Sequence, residues 1–244
     1  MKRHGGSEPE PSIVTARRQA SAASRATKAV RPRWRSRTAE RATRDVRKRA
    51  ELRSDRFLAI ALELLGEGGA DNLSVRKVVE MSGMSLRSFY QLFGGRDDLF
   101  LAIYEEAILG GLDRQMAAVA EAGPDPFARL KAFFESEWFE TEQSSPKLRR
   151  SLVIYHQRLM ETRPAELAAV LEPQHKALTE LVAECRAAGA GTLGLDDSTT
   201  AAILMQLVIT TLQNRVLDFG IQDQRVGVDQ VMALLKPIFG GEGA

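Results

Sequence analysis

Cysteine is almost absent: Cys185 stands alone in 244 residues, so no internal disulfide is available. A lone thiol fits a reducing compartment and the role of a small buried side chain. Long apolar runs are missing as well. AAILMQLVITTL is the longest, and it, like the shorter LAAVL, falls short of the roughly 18 to 20 residues a membrane helix needs. The first residues carry arginine, glutamate and proline instead of an apolar signal core. These absences lead to the expectation of a cytoplasmic protein without membrane contact. Catalytic signatures are lacking too, with no glycine-rich phosphate loop, no GxSxG elbow and no HExxH helix. Asp97 with Asp98, and Asp196 with Asp197, fall at expected helix starts, where the helix dipole accounts for them. His156 and His175 belong to no short ligand pair. No catalytic residue, metal or cofactor is therefore expected, and the chain does not read as an enzyme.

What is present is a turn between two short amphipathic helices, in Ser74 to Phe93, SVRKVVEMSGMSLRSFYQLF. Ser74 is placed to cap the first helix, which buries Val75, Val78 and Val79. Gly83 ends it, because glycine tolerates the positive φ of a tight turn, and Met84 offers an apolar plug for the corner. Ser85 caps the second helix. Phe89, Leu92 and Phe93 recur on one face of it, leaving Leu86, Arg87, Ser88, Tyr90 and Gln91 on the other. An exposed helical face of this size suits a DNA major groove.

The flanks extend the pattern. RFLAIALELLGEGGADNLS precedes the motif as a helix ended by glycines, and GGRDDLFLAIYEEAIL follows it as the start of a longer one. Taken together, residues 53 to 104 resemble the DNA-binding domain of the TetR family of transcriptional regulators, through the FLAIALELL run, the glycine-bounded loop, the MSGMS turn, the SFYQLF recognition helix and the GRDDL helix start. The resemblance implies that Ser74, Ser88, Tyr90 and Arg96 meet the phosphate backbone and that Leu86, Arg87 and Gln91 face base edges, with Ser85 beside them. Two departures stand out: Leu92 replaces the usual histidine or tyrosine, and Val79 stands where alanine is common.

Charge is unevenly spread. Residues 1–53 hold sixteen Lys or Arg against five Asp or Glu, whereas residues 54–103 hold five basic against seven acidic residues. A reading domain of that balance attracts polyanionic DNA weakly, since phosphate neutralisation supplies much of the affinity. The basic segment before it, with Arg44, Arg47 and Lys48, is the candidate source of the missing attraction.

Three regions are expected: a disordered basic tail over 1–35, a DNA-binding domain with its basic extension over 36–104, and a helical effector-binding and dimerisation domain over 105–244. Residues 36–53 contain good helix formers and extend the first helix backwards. Beyond residue 104 no strand pattern appears, and breaks fall at Pro124, Pro146, Pro164, Gly191 and Gly220. Pro173, inside a helical segment, is expected to kink or split it. The fold class is thus all-α, a three-helix reading domain followed by a larger helical bundle.

In that bundle Phe134 and Trp138, with Tyr155, His156 and Met160 on the next helix, form a candidate apolar ligand site. Ala201, Leu204, Met205, Val208 and Leu212 form one apolar stripe and Val228, Val231, Met232 and Leu235 another, a candidate homodimer interface. The expected function is a ligand-responsive regulator, a repressor released from a palindromic double-stranded DNA operator by a hydrophobic or amphipathic small molecule. The alternative is an architectural DNA-binding protein that has no effector.

Overall fold

A computed structural model describes residues 33–189, 194–219 and 226–239, with side chains except at 33–37, 39, 40 and 139–143. Of the disorder expected over residues 1–35, residues 1–32 lie outside the described residues, as do the breaks expected at Gly191 and Gly220, while residues 33–35 are helical. Among the described residues there are nine α-helices and no strand. They are α1 (Arg33–Gly68), α2 (Val75–Ser82), α3 (Leu86–Tyr90), α4 (Arg96–Glu121), α5 (Pro126–Gln143), α6 (Pro146–Thr162), α7 (Pro164–Ala187), α8 (Asp197–Val216) and α9 (Val228–Phe239). A 3₁₀ turn, Ala70–Asn72, joins α1 to α2.

The chain divides into two compact units, residues 1–51 and 52–244. In the first, the helix formers do carry α1 back to Arg33. Residues 41–49 are exposed there, and Arg47 Nε donates to Glu51 Oε1 at 2.9 Å, one turn along the helix.

In the second unit, one core joins the end of α1 to α2, α3 and the start of α4. Phe57, Leu65, Val78, Phe89, Leu99 and Phe100 are fully excluded from solvent. Phe57 meets the edge of Phe89 at 5.4 Å and that of Phe93 at 6.3 Å, a packing aromatic quadrupoles favour. A larger core lies among α4 to α9, around Leu130, Phe133, Leu178, Leu181, Leu204 and Val231.

Helices α5, α6 and α7 each open on a proline, where a missing amide costs least. Pro173 does not split α7, which runs on to Ala187. Helix α8 is capped by Asp196, whose carboxylate accepts from the Thr199 amide at 2.8 Å. That hydrogen bond holds the Asp196 carboxyl below its ordinary range.

The apolar stripes of the last two helices are turned inward, which corrects their assignment to a dimer interface. Ala201, Leu204, Val208, Leu212, Val231 and Leu235 are buried in the chain's own core, with Met205 packed against it. The reason is geometric: α5 and α7 lie against α8 and α9 and cover the stripes within one subunit. What α8 and α9 leave exposed is a different face carrying Ile203 and Leu234, 53% and 63% exposed.

Candidate nucleic-acid interface and ligand cavity

Local bonds build the turn. Ser74 Oγ accepts from the Lys77 amide at 3.3 Å at the start of α2, and Gly83 closes that helix with φ +68°, a left-handed conformation glycine enters without a Cβ penalty. Ser82, buried and unnoticed in the pattern, donates to the Val79 carbonyl at 2.9 Å and accepts from the Met84 amide at 3.3 Å. It braces the corner from inside. Ser85 Oγ accepts from the Ser88 amide at 3.1 Å and pairs with the Ser88 hydroxyl at 2.9 Å.

With Phe89 and Phe93 drawn into the core, α3 presents the opposite face to solvent. Leu86 and Tyr90 are 51% and 56% exposed, Arg87 and Gln91 are exposed, and Ser88 is half-buried. Arg96 is half-buried; its guanidinium lies 5.5 Å from the centroid of the Tyr155 ring and its Nη1 donates to the Leu73 carbonyl at 3.5 Å, which links the start of α4 to α6.

Residues 57–103 match the family model for bacterial regulatory proteins of the tetR family. Residues 57–103 thus carry the helix-turn-helix unit of the TetR family of regulators. The chain is 22% identical over 188 residues to the uncharacterized HTH-type transcriptional regulator YvdT of Bacillus subtilis (strain 168), covering 76% of this chain and 94% of that one. The fatty acid degradation regulator FadR from Bacillus halodurans has the same fold, at TM-score 0.57 and 19% identity, over 77% of this chain and 92% of its own. The regulatory protein TetR from Rhodobacter sphaeroides gives TM-score 0.53 and 22% identity, over 67% of this chain and 88% of its own.

The chain also holds a cavity of about 200 Å³ walled by α4, α5, α6, α7 and α8. Phe134 and His156, two of the residues expected to line a ligand site, meet there. The other three do not. Trp138 belongs to the large core under the Arg215 guanidinium, 5.9 Å from its ring centroid, and Met160 is 47% exposed at the end of α6. Tyr155 turns the opposite way from His156, because neighbouring residues on a helix diverge by about 100°; it stacks on Phe100 at 3.5 Å in the reading-domain core. Its hydroxyl is buried without a partner, and burial pushes its pKa up.

Polar groups that periodicity did not single out line the cavity. Gln115 donates to Glu137 Oε2 at 3.0 Å, and Gln174 donates to Gln115 Oε1 at 3.1 Å. The Tyr104 hydroxyl pairs with His156 Nδ1 at 2.7 Å. Burial keeps both neutral, raising the phenol and lowering the imidazole pKa. The available signal was a glutamine at each of two helix positions otherwise spaced as core.

Helix α6 touches both regions. Leu148 and Leu152 pack against the reading-domain core while Leu152, Val153 and His156 line the cavity. Ser145 Oγ donates to the Gly66 carbonyl at 3.1 Å, Lys147 to that of Glu67, Arg158 pairs with Asp97 at 3.0 Å, and Arg163, just past the end of α6, pairs with Asp98. The paired carboxylates at the start of α4 are thus struts.

Proposed function

We propose that the protein is a ligand-responsive homodimeric repressor that leaves a palindromic operator when a hydrophobic or amphipathic molecule fills the cavity. One observation carries this reading: the cavity and the reading domain share α6, with Tyr155 in one and His156 in the other. A ligand pressing on that helix acts on the packing of Phe100 and Arg96 one residue away. In this reading residues 36–104 form the DNA-binding domain with its basic extension, and residues 105–244 bind effector and dimerise. Ser74, Ser85, Leu86, Arg87, Ser88, Tyr90 and Gln91 meet the operator. Arg44, Arg47 and Lys48 add phosphate contacts, each contributing about 0.9 to the slope of log affinity against log salt.

The exposed Ile203 and Leu234 face takes over the dimer contact from the buried stripes. Two copies then set their α3 helices about 34 to 36 Å apart, one DNA turn. The test is to select an operator from random DNA, then titrate the complex with small molecules recovered by mild mass spectrometry of the purified protein. Release of the operator is the expected result. Undiminished binding with an occupied cavity would instead make the protein a constitutive, architectural binder.

A further inference from the structure

Two arginines, Arg114 and Arg149, line the cavity, and among the described residues Arg149 has a buried donor without a hydrogen-bond partner. Arg149 lies in the second turn of α6, and its guanidinium enters no ion pair among the described residues. Arg149 is half-buried, and buried donors such as its Nε are satisfied in more than nine cases in ten. The carboxylate that shares the cavity, Glu137, accepts from the amides of Gln115 and Gln174, at 3.0 and 3.4 Å.

Spacing defines the rest. Arg149, Leu152, Val153 and His156 follow one another at intervals of three, one and three residues, so they form a single inward stripe. Seven residues separate the guanidinium end from the imidazole end, about 10 Å along the helix axis. Ile108, Leu171 and Phe134 supply apolar wall, beside the Gln115, Gln174 and Glu137 group. At the far end His156 Nε2 has no partner among the described residues, since Nδ1 alone is engaged by Tyr104. Along α6 the cavity therefore runs from a cationic end, past the apolar Leu152 and Val153, to a neutral hydrogen-bonding end.

We infer that the effector of this regulator is an amphipathic anion, a carboxylate or similar oxyanion on an apolar body about 10 Å long, with its head on the Arg149 guanidinium. The inference rests on the effector reading above and narrows it from any apolar molecule to an anionic one. Guanidinium recognises carboxylate or phosphate oxygens through two parallel N–H bonds, which a hydroxyl or ammonium group cannot reproduce.

Three probes of one chain length separate the possibilities: decanoate, decan-1-ol and decylammonium, each titrated calorimetrically below its micellar concentration into the full-length protein. Decanoate is expected to bind at least ten-fold more tightly than decan-1-ol. Arg149→Gln is expected to abolish that ratio while leaving decan-1-ol affinity unchanged, and Arg149→Lys to retain part of it. Leu152→Trp, which fills the stripe, is expected to weaken all three probes and so to place them in the cavity. Equal affinity for decanoate and decan-1-ol, unaltered in Arg149→Gln, would overturn the anion site and leave the effector cavity standing. Tightest binding of decylammonium would overturn it as well and move the anchor to Glu137. If none of the three binds the wild type, both the anion site and the effector reading fail.

Discussion

The reading domain and the cavity domain bury different kinds of side chain. Around Phe57, Phe89 and Phe100 the first keeps one polar residue out of solvent among the described residues, Ser82, whose hydroxyl braces its own turn. The second buries Gln115, Ser151, His156, Gln174 and Thr200, and arranges three of them around a void. An apolar aromatic core fixes one geometry, as positioning a helix against DNA demands. A cavity edged by hydrogen-bonding groups gives up packing for the ability to be filled. The contrast teaches where each domain is vulnerable: the reader to lost volume, the cavity domain to lost hydrogen bonds and protons.

The harshest way to break the comparison is Phe89→Ala. It removes the ring around which Phe57, Phe93 and α3 are organised, and should cost about 3 to 5 kcal/mol in urea unfolding followed by circular dichroism. Operator binding should vanish with it. A loss below about 1 kcal/mol would mean that the aromatic core does not hold the reader.

Next in size is the outer face of the same helix. Arg87→Ala should weaken operator binding by about 1 to 3 kcal/mol and relax base preference, whereas Tyr90→Phe should weaken operator and scrambled DNA alike. Fluorescence anisotropy on both DNAs separates the two effects. Unchanged affinity in Arg87→Ala would remove α3 from the groove.

In the cavity domain, Gln174→Leu has nearly the same volume but leaves Gln115 Oε1 buried without its donor. It should cost about 1 to 3 kcal/mol, less than the Phe89 truncation, and the doubly apolar Gln115→Leu, Gln174→Leu variant should recover part of it. No recovery would show that the amide relay is not the unit at stake.

A subtler effect concerns protons. Burial lowers the folded-state pKa of His156 beneath its unfolded value of 6.5, so the unfolded chain binds a proton more readily. Stability should therefore be full above pH 6.5 and fall as pH drops from there toward the folded-state value. Melting temperatures over that window, against His156→Asn, isolate the contribution; identical curves would refute it. The smallest effect expected is at Cys185. Burial raises its thiol to about 11, so iodoacetamide at pH 8 should leave the native protein unmodified and label it only on unfolding.

Much of the reading domain was legible because its decisive bonds are local. Ser74 to Lys77, Ser85 to Ser88 and the left-handed Gly83 each lie within a few residues, so a window of twenty residues contains both partners of every cap. Prolines 146 and 164 announced the starts of α6 and α7 for the same reason. The cavity was only partly legible. Phe134 and His156 were placed in it by helical spacing, yet spacing drew in Trp138, Tyr155 and Met160 as well, because it cannot say which neighbour a side chain will meet.

The amino-acid order by itself thus determined an all-α chain, its helix-turn-helix and the face of α3 that stays in water, through caps, φ preferences and amphipathic period. Tertiary structure alone decided what each buried stripe touches. It sent the α8 and α9 stripes into the subunit's own core, turned Arg96 onto Tyr155 and brought Gln115 to Gln174 across 59 residues of sequence. Periodicity identifies the side of a helix that avoids water; only the packing of distant helices determines whether that side meets a core, a cavity or another protein.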